Sequence, residues 1–332
     1  MCVLLGLLLL NEFWLFGLDF SHWDYLLISG VITFVVGLPL VLDIPQHVET
    51  TLTRLVNRGV LQLTAEELGI VKQDLAVRAE QWAYRGGLIV ALAILLAFVV
   101  AFGQDVVGRL TLTVFEVLGG YFAGRYLGRM AFYGTLGRLL RAQNIRLKVQ
   151  PGHPDGAAGL KPIGDLYFFQ AMVIAIPALY LALWWFIIPT MGRYAVWRGP
   201  YLGLLAVVLT VEVLAFFVPL WSFHQEMQAQ KNVLLNEADT LSGQMDAVQA
   251  ELPEAKTDQE RTALKERLSS MTDRYWAIER MPTWPVDARV RRRFTLNNVV
   301  LFLPLITQSI HLSGGWQKAL EELEKILTGL ST

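Results

Sequence analysis

Cysteine, histidine and catalytic motifs are all scarce in this chain. The 332 residues contain one cysteine, Cys2, so no disulfide can form within a chain and no thiolate cage can hold a metal. The five histidines show no metal-ligand spacing, and no HExxH, Walker-type phosphate loop, glycine-rich dinucleotide motif or GxSxG elbow occurs. We therefore expect no catalytic residue, no metal site, no cofactor and no enzymatic activity.

Charge is also scarce, and apolar residues dominate what is present. Hydrophobic residues make up 54% of the chain and charged residues only 17%, whereas about a quarter of a soluble protein is charged. The clearest apolar runs are 24–42, 86–103, 166–190 and 201–221. Each is long enough to cross ~30 Å of hydrocarbon at ~1.5 Å per residue. The pattern predicts an all-α, polytopic helical membrane protein.

The distribution of lysine and arginine predicts the orientation of these runs. Segments 43–85, 134–165 and 225–293 are rich in both residues, whereas the other connections are poor. All three rich segments fall on one side of the membrane if 106–133 is a further crossing. That side is cytoplasmic by the positive-inside rule. The net charge of −1 gives no argument for nucleic-acid binding.

Two other apolar segments are interrupted or short. Residues 1–20 contain Asn11 and Glu12, and this segment either crosses the membrane or lies re-entrant against its neighbours. Residues 296–311 form either a short span or an interfacial helix. With these two segments left open, we expect about five to seven membrane helices.

A polar region between two of the apolar segments carries a heptad pattern. Pro253 interrupts it, because proline cannot continue the helical hydrogen-bond ladder, and a polar turn through Thr257 follows. Lys231 occupies a core position near the membrane end, where a polar residue often sets register. The apolar seam predicts an antiparallel coiled-coil hairpin on the cytoplasmic side. Its other positions are Met227, Leu234, Ala238, Leu241, Met245, Val248 and Leu252, then Leu264, Leu268, Met271, Tyr275 and Ile278.

The predicted organisation has six parts. They are an N-terminal membrane hairpin (1–42), cytoplasmic amphipathic helices (43–85), a transmembrane core (86–222) with a cytoplasmic loop (134–165), the cytoplasmic helical hairpin (223–281), a basic linker with a short membrane or interfacial helix (282–311), and an amphipathic tail (312–332).

Glu212 is the most unusual residue of the apolar runs. It lies about halfway along 201–221, with largely apolar residues on both sides. A carboxylate at that depth is costly, so it is usually paired and faces protein or a water-filled path. Arg125, at a similar depth in 106–133, is the predicted partner. The pair is either an ion-path or gating element, or a structural interhelical ion pair.

The 106–133 segment combines glycine and charge. Gly120, Gly124 and Gly128 recur at four-residue spacing, which predicts a face for close helix packing and, in our interpretation, for oligomer formation. Glu116 continues the same line, while Arg125 lies about 100° around the helix. A helix of this kind suits a protein interior or a pore wall better than a position facing lipid.

Two connecting segments contain residues that invite a chemical role. His153 and Asp155 precede Gly156, and we interpret this as a rigid turn rather than a catalytic or metal site. Further along, a basic patch follows the prolines that end the hairpin, and we expect it to bind either anionic lipid headgroups or a soluble anion. The patch consists of Arg289, Arg291, Arg292 and Arg293.

Two strings carry a family resemblance. HPDGAAGLKPIG and MPTWPVDARVRRRF, each ahead of an apolar run, resemble segments of uncharacterised bacterial integral membrane proteins. The overall layout also resembles multi-pass membrane effectors of bacterial anti-phage systems, such as the Hailong type. The resemblance implies a location in the bacterial inner membrane and an oligomeric channel controlled by a partner nucleotidyltransferase or a phage trigger.

We therefore predict a homo-oligomeric gated pore regulated through its cytoplasmic hairpin. The alternative is a non-conducting membrane scaffold or receptor subunit that binds a soluble partner through the hairpin. The expected partners are membrane lipids, further copies of the chain, and a cytoplasmic nucleotide, oligonucleotide or protein regulator.

Overall fold

The computed structural model describes Phe13 and residues 25–102 and 110–313, and every regular element within them is helical. The predictions for 1–20 and for most of the tail 312–332 lie outside these residues. The helices are α1 (Tyr25–Leu42), α2 (Ile44–Asn57), α3 (Ala65–Phe102), α4 (Leu110–Tyr133), α5 (Leu136–Ala142), α6 (Lys161–Ile187), α7 (Arg198–Glu251), α8 (Asp258–Glu279) and α9 (Ala288–Ser313).

Three stretches of the described residues are long and apolar enough to cross a membrane. They are Ile28–Asn57, Lys161–Thr190 and Arg198–Glu254. The second half of α3 is also rich in exposed apolar side chains, and Ile89 and Val100 are 67% and 86% exposed. Large exposed apolar surfaces of this kind mark contact with lipid or protein. The fold is thus an all-helical one with membrane-like character.

Two helices run straight through boundaries drawn from the sequence. The predicted division at residue 85 falls inside α3, which is a single helix of 38 residues. The predicted division at residue 222 falls inside α7, which is a single helix of 54 residues. Gly86 and Pro219 leave these helices unbroken, so each one joins an apolar half rigidly to a more polar half.

Helix α6 is the centre of the packed core. It contacts α1, α2, α7 and α9, and it buries side chains from Ile163 near its start to Trp185 near its end. The Tyr167 hydroxyl donates to the backbone oxygen of Tyr133, and the Tyr126 hydroxyl donates to that of Gln170. These two hydrogen bonds join α4 to α6.

Helix α2 packs its apolar face onto this core. Ile44, Val48, Leu52 and Leu55 are buried at spacings of three and four residues, the pattern of an amphipathic helix. The His47 ring stacks on the Phe169 ring of α6 with 4.1 Å between centroids. The amphipathic pattern in 43–85 therefore reflects packing against protein.

Helices α7 and α8 fold back on each other after the turn at Pro253. Every predicted seam position from Met227 to Ile278 is buried or partly buried. Helix α7 ends at Glu251, and α8 begins with a capping box in which the Thr257 and Glu260 side chains each accept from the other's backbone N–H. The Lys231 ammonium donates to the carbonyls of Glu279 and Met281, each at 2.9 Å. Lys231 thus caps the C-terminal end of α8, where a cation is favourable.

Candidate functional site

Glu212 lies in a polar cluster between α7 and α9. Its side chain is fully buried. The side-chain amides of Asn297 and Asn298 donate to its Oε1 atom at 3.2 and 3.3 Å. The Asn298 amide also donates to the backbone oxygen of Phe294 at 3.0 Å. The predicted burial of Glu212 against protein is confirmed, and the asparagines that begin the last apolar run are its neighbours.

Three buried side-chain oxygens on helices α6, α7 and α9 have no donor among the described residues. Among the described residues, Glu212 Oε2, Asn298 Oδ1 and Gln170 Oε1 are buried without a hydrogen-bond partner. They belong to α7, α9 and α6, three helices that pack against one another. An ionised carboxylate in such a place is costly unless its charge is compensated. A proton on Glu212 or a bound water would give these oxygens a hydrogen-bond donor, and a bound cation would coordinate them.

The predicted ion pair between Glu212 and Arg125 is wrong. Arg125 Nη2 donates to Glu80 Oε2 at 2.6 Å, and Arg129 Nη2 donates to Glu80 Oε1. Helix α4 packs mainly along α3, which carries Glu80, and makes little contact with α7. A similar depth in the membrane does not make two residues neighbours. Because Glu80 is about half exposed, this bridge contributes modestly to stability.

The glycine face of α4 is occupied within the chain. A Cβ atom added to Gly124 would lie 2.3 Å from the Gly86 oxygen, and one added to Gly128 would lie 2.2 Å from the Trp82 oxygen. At Gly120 an added Cβ would lie 2.3 Å from Ile94 Cδ1. The prediction of close helix packing is confirmed, but the partner is α3 of the same chain. The glycines therefore give no argument for an oligomer.

The other predicted polar positions lie apart from Glu212. Glu116 lies on α4, one turn before Gly120. Arg289, Arg291, Arg292 and Arg293 occupy the first two turns of α9 and are exposed, whereas Val290 and Phe294 on the same turns are buried. The basic patch is thus exposed to solvent, where an anion can reach it. The same helix, α9, carries Asn297 and Asn298.

The first residue of α6 and a histidine of α7 hold the link between α8 and α9 in place. Lys161 Nζ contacts Asp287 Oδ2 at 2.6 Å, and Asp287 Oδ1 accepts from the Val290 backbone N–H at the start of α9. The His224 ring stacks on Trp284 at 4.4 Å between centroids and bonds to the Thr283 oxygen. The link between α8 and α9 is therefore held from two sides.

Asp155 forms the predicted rigid turn. Its Oδ1 accepts from the backbone N–H groups of Ala157 and Gly159 at 2.9 and 3.0 Å, and its Oδ2 pairs with Arg58 at 2.6 Å. Burial raises the pKa of Asp155, but the N–H donors and His153 outweigh burial and hold that pKa below its ordinary value. These contacts are structural.

The partners of Glu212 and Arg125 were not predicted from the sequence. Asn297 and Asn298 were visible only as two polar residues near the start of a short apolar run. Glu80 was visible only as one charge of an amphipathic segment. The available signal was the pair of adjacent amides in an otherwise apolar stretch, which predicts a buried polar neighbour.

Comparison with protein-family models, curated proteins and solved structures gives no match.

Proposed function

We propose that this chain forms a homo-oligomeric gated pore in the bacterial inner membrane, with the α7–α8 pair on the cytoplasmic side as its regulatory arm. One observation carries the proposal: α7 is continuous from Arg198 to Glu251. Glu212 and Lys231 are 19 residues apart on this helix, or ~28 Å at ~1.5 Å per residue. A force on the arm would therefore act directly on the buried carboxylate.

We propose five or six crossings for this pore, of which three described stretches qualify by length and composition alone. Helices α1, α3, α4, α6 and α7 would cross in alternating directions, and α9 is a 26-residue helix that packs on α6 and α7. The lysine-rich and arginine-rich connections then share one side. Lipid or neighbouring copies would cover the exposed apolar side chains of α3.

The buried polar cluster supplies the chemistry that a gate requires. Carboxylate and amide oxygens are ligands for hard cations, and an intramembrane carboxylate commonly marks an ion or proton path. Opening would bring Glu212 into contact with water, and closure would return it to the apolar interface between α7 and α9. The resemblance to anti-phage effectors adds that opening would depolarise the cell and arrest growth.

The test is a flux measurement on the purified protein in liposomes, with depolarisation of expressing cells as a second readout. Wild type should conduct cations, and Glu212→Gln should change the flux by about tenfold or more, equal to ~1.4 kcal/mol in a barrier. Glu266→Gln on an exposed position of α8 is the matched control and should leave the flux unchanged.

A non-conducting scaffold is the competing function, and the arm offers one observation in its favour. Val233 and Trp276 on the α7–α8 pair are 70% and 47% exposed, and exposed aromatic residues often anchor a protein partner. A protein that inserts normally but neither conducts nor depolarises cells would favour the scaffold over the pore.

A further inference from the structure

A basic cleft lies beside α7, away from the polar cluster around Glu212. Its volume is about 620 Å³, and its walls come from α5, the extended segment after it, and residues 222–230 of α7. This volume falls within the ~300–1,000 Å³ typical of small-molecule sites. The cleft is lined by none of the residues that the sequence analysis singled out as functional.

The extended segment contributes two cations to the lining of the cleft. Helix α5 is followed by Asn144 in the left-handed conformation, with φ of 56°, which is a common way to end a helix. The chain then pairs Leu147 with Leu61 in an isolated antiparallel bridge. Leu147 and Val149 are buried, whereas Arg146 and Lys148 are exposed. Because side chains alternate in extended backbone, the two cations share one exposed face of the segment, and both are among the residues that line the cleft.

Gln230 fixes this segment against α7. Its amide nitrogen donates to the Leu147 oxygen at 2.5 Å, and its amide oxygen accepts from the Val149 N–H at 3.0 Å. These are the hydrogen bonds that a neighbouring strand would make. The wall that holds Arg146 and Lys148 is therefore preorganised, which lowers the cost of binding.

The carboxylate that lines the cleft is already engaged. Glu226 accepts from Gln230 at 2.9 Å and from Arg141 at 3.3 Å. In the part of the chain that the structure describes, Arg146 and Lys148 have no ion-pair partner. The lining carries three cations (Arg141, Arg146 and Lys148) and one carboxylate, so its net charge is +2.

We propose that this cleft binds a phosphate-bearing ligand, with Arg146 and Lys148 as the primary contacts and Arg141 as a third. Arginine and lysine are the usual phosphate-binding side chains. A phosphate that reaches Arg141 would compete with Glu226 and so act on α7. The binding site stands without the proposed pore; only its effect on gating rests on that function.

The shared chemistry could come from a lipid headgroup or from a soluble phosphorylated molecule, and the experiment separates them. Full-length protein in phosphatidylcholine nanodiscs is titrated with pyrophosphate by calorimetry. In parallel, phosphatidylglycerol retained by the detergent-purified protein is quantified by mass spectrometry. The test variant is Arg146→Gln with Lys148→Gln. The matched control is Lys265→Gln with Arg267→Gln, which removes the same charges from exposed positions of α8.

The expected result is that pyrophosphate affinity, or bound phosphatidylglycerol, falls about tenfold or more in the test variant and stays unchanged in the control. Loss of pyrophosphate binding assigns the site to a soluble ligand, and loss of lipid alone assigns it to a headgroup. Arg146→Lys with Lys148→Arg, which keeps both charges, should retain binding.

Two results would overturn the proposal. One is that the test variant, with an unchanged thermal midpoint, binds both pyrophosphate and phosphatidylglycerol as wild type does. The other is an equal loss in the test variant and the α8 control, which would show that only the overall charge matters. This experiment does not measure flux through the protein, so its result stays valid even if the chain does not form a pore.

Discussion

At the scale of single residues, the main feature is a carboxylate that is buried without a cation. Glu212 has two amide donors on one oxygen and none on the other among the described residues. Two neutral hydrogen bonds do not fully offset the desolvation of a charge. An ionised Glu212 side chain in this cluster therefore costs stability unless its charge is compensated.

The first prediction tests whether the asparagines support Glu212. Asn298→Leu should lower the free energy of unfolding by ~1–3 kcal/mol, because a buried acceptor loses its donor. Combining it with Glu212→Leu should recover part of that loss, since positions 212 and 298 are then both apolar and only the partly buried Asn297 amide loses an acceptor. Thermal unfolding in detergent measures this. Asn232→Leu, at an exposed position of α7, is the control, and purely additive losses would contradict the coupling.

The second prediction concerns Asp155 and pH. Its pKa is lowered from 3.8 in the folded protein, so the carboxylate stabilises the fold above that value. This contribution is lost as pH falls through the lower, folded pKa. Asp155→Asn should reduce the thermal midpoint near neutral pH and flatten its fall below about pH 4. Asp246→Asn, on the exposed surface of α7, should keep the wild-type profile.

At the scale of helices, the α3–α4 pair depends on the absence of side chains. Gly86 and Gly124 face each other so closely that a Cβ on either would lie about 2.3–2.4 Å from the opposite backbone oxygen. Backbone atoms cannot rotate away as a flexible side chain can. The packing therefore tolerates no substitution at these positions without separating the helices.

The third prediction uses two glycines of the same helix. Gly124→Ala should cost ~1–3 kcal/mol, because the added methyl forces α3 and α4 apart. Gly119→Ala should be neutral or stabilise by up to ~1 kcal/mol, since among the described residues no heavy atom beyond its chain neighbours and its own helix backbone lies within 4 Å of the added Cβ. Thermal midpoints of the two variants give the comparison. Equal effects would mean that the close approach does not control stability.

At the scale of the whole molecule, helices α7 and α9 each join regions that lie far apart along the helix axis. Helix α7 joins the buried cluster to the arm, and Gln230 and Lys231 connect its polar half to the basic cleft and to the end of α8. Helix α9 joins the exposed arginines to Asn298. A ligand at either basic surface would therefore act on the helices that hold Glu212.

The fourth prediction is that the detergent-solubilised protein is a homo-oligomer. The exposed apolar side chains of α3, and not the glycines of α4, are now the surface expected to pair between copies. Light scattering with correction for bound detergent gives the mass. A monomer of 37.3 kDa under conditions where the protein conducts would contradict the oligomeric pore.

The sequence by itself determined the features that depend on local pattern. Hydrophobicity predicts the helical class and the membrane-like apolar stretches. Heptad spacing predicts the apolar seam of α7 and α8, and the geometry of proline predicts the end of α7 before Pro253. The burial of Glu212 also follows, because a charge within an apolar run must face protein.

Only the tertiary structure decided which residues meet. Hydrophobic periodicity gives the face and depth of a residue but not the neighbouring helix, so it could not distinguish Glu80 from Glu212 as the partner of Arg125. It also could not show that Gly124 packs on α3 of the same chain. Hydrophobic periodicity could not predict the cleft for the same reason. Arg146 and Gln230 come together only when α5, the extended segment and α7 pack. Contacts between distant segments depend on how helices are placed around a shared core, and no local pattern encodes that placement.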